Sequence, residues 1–364
     1  MSHGVNPDRI IISGHRAVRD ALRDTSTYSS DLQGDPDVRD YRQLPLEIDP
    51  PEHHLYRNAL SQYFVKPTVE KSIPDFEYHT KRLMHHYFTG ANTDVISSLV
   101  LPLVMHNLGV LYRRPQDVAE WISWGPDVWT AASPVRDGRV LHEYLDRIYA
   151  EARASVHSDI WNEIAYMEIE GKTISQTQFR GIAGVMLAGG RDTVVKLFTG
   201  MLWHLGKQPH DLQLLREDPT LIPRAIQEFL RFLTPLPQMA RVIKSEGGGD
   251  QSGSEKQVGI SFISGNYDES VFENPCEINI KREKIPHLSF GFGPHTCLGN
   301  HIAEIEARVF LEALVNSNLN WSIQSTDIRF HESPFRDVPD AFMSLVLTSW
   351  SGSDGVAKPL QILE

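Results

Sequence analysis

The spacing of apolar residues along this chain is mainly helical. Ala17, Val18, Ala21 and Leu22 share one face of a helix over 15–24, preceded by a strand-like run, DRIII, at 8–12. Helical periodicity continues from 69 to 149, with breaks at Pro74, Gly90, Pro102, Pro115 and Pro126. Trp121, Trp124 and Trp129 within it read as core or interface residues. Residues 161–175 predict a helix, a turn at Gly171 and a new helix start at Ser175, from which a long helix should run from about 176 to 207. Another helix is predicted over 218–232. Residues 233–288 mix short strands and turns, with GGGDQSGSEK at 247–256 as an exposed turn. A further helix follows Cys297, carrying Ile302, Ile305, Val309, Phe310 and Leu314. Alternation returns after Asn316, most clearly in FMSLVL at 342–347. The fold class is therefore mainly α with small β-sheets. No internal repeat divides the chain, whose length suits one large domain or two medium ones.

Some stretches obey the pattern only at a cost. LAGGRDTVV, 187–195, puts two adjacent glycines inside a helix, at roughly 1 kcal/mol each relative to alanine. Such a pair is tolerated where the backbone passes close to something or bends. Asp192 and Thr193 follow, an acid beside an alcohol. A helix–helix packing notch and a distorted helix crossing a cofactor, with a proton-relay pair beside it, explain this segment equally well. In DPPEHHLYRNAL, 49–60, Asp49 can cap a helix that the prolines open, and His53 and Arg57 then share a face. That face suits a carboxylate, although a solvated basic face is the commoner origin of such a pair. Glu228 and Arg231 are three apart on one helix and can pair; Phe229, Leu230 and Phe232 around them predict partial burial. The irregular stretch from Ser26 to Pro51 is long enough to be functional or mobile.

Composition narrows the chemistry. The chain has 364 residues and a net charge of −12, which argues against a nucleic-acid binder. No apolar run reaches the length of a membrane span, and the start MSHGVNPDRIIISGHR lacks a signal-peptide pattern. Cys276 and Cys297 fit a reducing cytoplasm without a disulfide framework. Neither CxxC nor HExxH occurs. Cys297 lies in FGFGPHTCLGNHIAEIEAR, 290–308, with glycines at 291, 293 and 299. Glycine lets a backbone approach a flat ligand, and a helix start favours an anion. A lowered thiol pKa is therefore expected. A thiolate is also one of the few protein ligands that hold haem iron.

The order and spacing of these segments resemble the cytochrome P450 family, in the soluble bacterial class that includes the camphor hydroxylase. FGFGPHTCLGN resembles its haem-thiolate loop, EFLR its Glu-x-x-Arg helix, AGGRDT its oxygen-activating helix, and DPPEHHLYR the opening of its propionate-binding helix. GNYDESVF, 265–272, resembles its Ala-Asn-Arg-Asp-x-x-x-Phe stretch, with Gly265 and Tyr267 departing from it. The resemblance implies a P450-like fold as a single haem domain over 1–364, and haem b, iron protoporphyrin IX. It makes Cys297 the axial ligand, His53, Arg57, Arg241 and His295 propionate contacts, and Gly189, Phe290 and Gly299 neighbours of the cofactor. Asp192 and Thr193 would deliver the protons that cleave O2. Glu228 and Arg231 would be structural. Tyr41, Val185, Ala188, Leu236 and Phe335 would line a mostly apolar substrate pocket. The segment before Asp49 is shorter than the family's, lacking its first helix and strand, so an exposed sheet edge near 8–12 is expected. The implied function is a cytoplasmic monooxygenase drawing electrons from a ferredoxin and its reductase. A peroxide-driven oxygenase, a haem isomerase or dehydratase, and a non-catalytic haem-binding protein are the alternatives.

Overall fold

The computed structural model describes residues 10–31, 41–90, 93–124, 139–154, 159–244 and 257–351. The turn expected at 247–256, Trp129, and Asp8 and Arg9 of the first strand lie outside them. Strand β1 (Ile10–Ile12) leads into α1 (His15–Arg23), whose Val18, Ala21 and Leu22 are buried as the periodicity predicts. A short β2 (Tyr28–Ser29) follows, then α2 (Glu52–Ser61), α3 (Lys66–Val69), α4 (Ile73–Thr89), α5 (Leu101–Leu111) and α6 (Val118–Ser123). Next come α7 (Arg139–Ala154), α8 (Ile160–Ala165), and a hairpin of β3 (Glu168–Ile169) and β4 (Lys172–Thr173).

The helix predicted over 176–207 is two helices, α9 (Gln176–Gly189) and α10 (Asp192–Lys207). Ser175 starts α9 with a capping box: its side chain accepts from Gln178 N, and the Gln178 side chain accepts from Ser175 N. The break has two causes. A Cβ on Gly190 would stand 2.9 Å from Leu108 Cδ2, so glycine lets α5 pack against the junction. Thr193 Oγ1 donates to Gly189 O at 2.9 Å, occupying a carbonyl that a continuous helix would use for a backbone amide.

The chain continues through α11 (Pro209–Glu217), α12 (Ile222–Leu233), β5 (Gln238–Ile243), β6 (Gln257–Ser261) and α13 (Phe262–Asn266). Helix α14 (Asn300–Asn316) is followed by a long hairpin of β7 (Leu319–Phe330) and β8 (Pro339–Ser351), which contains the strand predicted at 342–347. One extended core joins α2 and α4–α12 with α14 and the hairpin. A smaller cluster of Val18, Ala21, Leu22, Ile260, Phe262 and Leu288 seats α1 on the sheet. The sheet order is β1-β6-β5-β2, with β1 parallel to β6 at one edge. There Ile10 is 56% and Ile11 42% exposed, so the edge expected near 8–12 is present among the described residues.

Candidate haem-thiolate site

Three glycine-bearing turns build the loop around Cys297. Gly291 (φ 69°) and Gly293 (φ 74°) occupy the left-handed region that side chains avoid. A Cβ on Gly293 would stand 2.8 Å from Leu22 O, so the end of α1 presses directly on the loop. Phe292 is clasped by Arg19 and Arg23 of α1, with guanidinium carbons 4.3 Å and 4.6 Å from its ring centre. Cys297 N donates to Phe290 O at 2.8 Å, which closes the loop two residues ahead of Gly299, the residue that caps α14.

The Cys297 side chain retains accessible surface. Its thiol is nevertheless heavily desolvated, which raises its pKa. A side chain that is both accessible and desolvated faces an internal cavity rather than bulk water. The lowered pKa expected from the helix start is thus corrected. Cys297 sits ahead of α14, and desolvation outweighs the Gly299 amide and the charge of Arg57, which alone favour the thiolate.

The four residues expected at the propionates converge at one edge of this cavity. The rings of His53, on α2, and His295 lie 4.1 Å apart. Burial, with Arg57 and His54 adding to it, lowers the His53 pKa to about 4. Burial, with His53 and Arg241 adding to it, lowers His295 to about 3. Both imidazoles are therefore neutral near pH 7. They offer N–H donors rather than charge, and the fixed positive charge comes from Arg57 and Arg241. His295 Nε2 lies 3.0 Å from Ser30 Oγ, and Asp49 fastens the segment by accepting from Ser29, Ser30 and Lys244. His53 Nδ1 is buried without a hydrogen-bond partner. Arg241, on β5, is 3% exposed, and among the described residues its guanidinium bonds only its neighbour's carbonyl, Ala240 O. Burial lowers its pKa to about 10.

A buried guanidinium without a carboxylate within ion-pair distance is costly unless an anion completes it. A buried orphan imidazole nitrogen and a desolvated thiol opening on the same cavity complete the donor set of an iron porphyrin: one soft axial ligand and cations at the carboxylate edge. The residues present therefore fit the group.

The other expected residues lie along the broken helix and the segments near it. Val185 and Ala188 are partly exposed and Gly189 is exposed, while Met186 and Leu187 between them are buried. A Cβ on Gly189 would meet nothing within 4 Å, so the backbone borders open space there. Thr193 and Asp192 extend the same accessible stripe, and the Asp192 carboxylate pairs with the guanidinium of Arg191. Leu236 is partly buried in the accessible run 235–240 and packs toward the α1 cluster. Phe335, in the β7–β8 turn, stands edge-on to Tyr267 at 5.6 Å. Tyr41 is 6% exposed, with its ring against His142 of α7 and its hydroxyl against Gly184, one turn before Ala188. It is thus packed between helices.

Glu228 and Arg231 form a bidentate pair, both fully buried. The partial burial expected from their neighbours was an understatement. Arg231 also donates to Asn266 O, Pro275 O and Glu277 O, and Glu228 accepts from Asn279 N at 2.9 Å. Sequence reasoning missed the third member, Arg282, whose Nε donates to Glu228 Oε2 at 3.1 Å. Nothing in its spacing marks it; only the fold brings it to Glu228. The three charges pin the coil that leads into Phe290 and Cys297.

A desolvated yet accessible thiol in a glycine-built loop, with a buried unpaired guanidinium in the same region, fits a haem-thiolate protein. The cytochrome P450 family model matches residues 134–336. A steroid C26-monooxygenase of Mycobacterium tuberculosis is 27% identical over 317 residues, covering 83% of this chain and 85% of its own. An erythromycin C-12 hydroxylase of Saccharopolyspora erythraea is 28% identical over 321 residues, covering 83% and 80%. The solved structure of a carbohydrate-active P450 superposes with a TM-score of 0.84 at 26% identity, over 93% of this chain and 91% of that one. The chain belongs to the cytochrome P450 family, whose relatives here are monooxygenases and hydroxylases. No helix among the described residues is long and apolar enough to cross a membrane.

Proposed function

We propose that this enzyme binds haem b and inserts one oxygen atom from O2 into a small or medium, mostly apolar organic molecule. The observation that carries the reading is Cys297, a desolvated thiol with accessible surface, near Arg241, a buried guanidinium with no ion-pair partner among the described residues. When bound, the haem supplies thiolate-supported activation of dioxygen. The chain's own residues do the rest. Cys297 ligates, Arg57 and Arg241 neutralise the cofactor's carboxylates, and His53 and His295 donate hydrogen bonds to them. Thr193 holds a hydroxyl proton at Oγ1 over the cavity, anchored on Gly189 O. Asp192, beside it, connects that hydroxyl with the outer end of the break. Val185, Ala188, Leu236 and Phe335 exclude water and orient the substrate by apolar contact, and Tyr41 backs the helix that carries Val185 and Ala188.

Relatives named for a steroid, a macrolide and linalool support a largely apolar substrate. Electrons come from a ferredoxin and its reductase in the cytoplasm, since two cysteines do not suffice for a four-cysteine cluster. The test is Thr193→Ala assayed with ferredoxin, reductase and NADH. Electron consumption should continue while coupling to product falls and hydrogen peroxide rises. Unchanged coupling removes Thr193 from the relay. Faster turnover with peroxide than with the ferredoxin system favours a peroxide-driven enzyme instead.

A further inference from the structure

Lys196 lies one turn beyond Thr193 on α10, and its side chain is 8% exposed. Its one hydrogen bond among the described residues runs from Nζ to Thr234 O at 3.4 Å. No carboxylate among the described residues lies within ion-pair distance. The acid that attracts it, Asp340 of β8, is held by Arg329 of β7 at 2.7 Å. Burying an ammonium without a close counter-charge is expensive, and a methionine of similar length would fill the space without that penalty. The amine therefore has a task, and its partner shows which.

Thr234 ends α12 with φ 36°, a left-handed conformation that a β-branched residue rarely adopts. Several bonds over-determine it. Its amide donates to Leu230 O, its hydroxyl donates to Arg231 O, Asn266 Nδ2 donates to its hydroxyl, and Lys196 takes its carbonyl. Immediately after this corner the chain becomes the accessible run Pro235–Ala240. A strained corner held this firmly next to an accessible run is a place where geometry is being set.

We propose that Lys196 is a positioning residue. Its buried ammonium holds the Thr234 carbonyl and thereby fixes how closely the wall at Pro235–Pro237 stands to the oxygen-activating helix, which sets the size of ligand the cavity admits. This rests on the haem-site reading above and adds to it a specificity determinant remote from the ligand.

The clamp depends on charge. Burial lowers the Lys196 pKa to about 8, with Asp340 opposing and Arg329 assisting the shift. The other group facing it, His331, is held neutral near pH 7 because burial lowers its pKa to about 4. Asp340 stays ionised, its pKa lowered chiefly by Arg329 against the effect of burial. Among the described residues of this cluster, Lys196 is then the group that changes charge between pH 7 and pH 9.5.

The experiment is optical titration of the haem-loaded protein with imidazole and with 4-phenylimidazole, each affinity referred to the neutral ligand. Imidazole reports the iron alone; the phenyl group also touches the wall. Lys196→Met should lower the affinity ratio of 4-phenylimidazole to imidazole about tenfold, the worth of one charge-assisted hydrogen bond. The wild-type ratio should fall likewise from pH 7 to pH 9.5. Lys196→Arg should keep the ratio and lose its pH dependence. A merely structural lysine predicts lower stability with an unchanged ratio, and a ratio constant within twofold in Lys196→Met overturns the proposal. If that variant does not fold, a flat wild-type pH profile overturns it as well. A wild-type protein that binds neither ligand overturns the haem-site reading itself, and the inference with it.

Discussion

Glu306, on α14, is 2% exposed and forms no ion pair among the described residues. Its Oε1 has no hydrogen-bond partner among the described residues, and only the side chain of Asn107, from α5, favours its charged form. Burial raises its pKa to about 8. With a folded pKa above the unfolded value, the folded state binds the proton more tightly. Its contribution to stability is then fully present below pH 4.5 and is lost as pH rises toward 8. One pH unit across that window corresponds to about 1.4 kcal/mol, and titration at both ends rounds the total. Wild-type protein should thus lose about 3–4 kcal/mol between pH 5 and pH 8 through this one group. Glu306→Gln keeps the shape and removes the titration. Denaturant unfolding of both proteins at pH 5, 6, 7 and 8 should give curves that diverge, the variant gaining on wild type with each step. Infrared spectra at pH 7 should show a protonated-carboxyl stretch in wild type that disappears in the variant. Parallel stability curves within about 0.5 kcal/mol, or no such band, would refute the reasoning.

Three further outcomes follow from the same geometry. Glu228→Gln should destabilise by about 3–5 kcal/mol because it leaves two buried guanidiniums without their carboxylate, whereas Arg282→Met, which spares the bidentate pair, should cost about 1.5–3; thermal unfolding compares them. Arg241→Leu should leave the cofactor-free protein as stable as wild type or more so, since an uncompensated buried cation is removed, yet should speed haem loss to apomyoglobin at least tenfold. Gly293→Ala, facing Leu22 O at 2.8 Å in a left-handed conformation, should also release haem faster, at about 1–2 kcal/mol of backbone strain before any clash.

Much of the candidate site was legible because it is written in short segments. The glycines around Cys297, the glycine pair before Asp192 and the His53–Arg57 spacing each break a local pattern, and local patterns are what a sequence displays. The structure corrected what depends on summed burial. Cys297 looked like a thiol with a lowered pKa because the nearby helix start is visible in sequence, while the desolvation that outweighs it comes from segments far apart in the chain. His53 read with Arg57 as part of a basic face, yet burial makes both it and His295 neutral donors. Arg282 and Lys196 escaped notice altogether. Each is an ordinary cation in its own segment, and its meaning comes from a partner it meets only in the fold: Glu228 for one, the strained Thr234 carbonyl for the other. The single helix expected over 176–207 failed at Gly190, where contact with Leu108 and the Thr193 hydroxyl broke a periodicity that continues unbroken in the sequence.

The central claim is that Cys297 ligates a haem iron through its thiolate. The most direct measurement is the absorption spectrum of the reduced, CO-bound protein beside that of Cys297→His. The account predicts the strongly red-shifted Soret band of thiolate ligation in wild type and its replacement, in the variant, by the shorter-wavelength band of imidazole ligation. A wild-type spectrum already of the imidazole kind, or one that Cys297→His leaves unchanged, would contradict it.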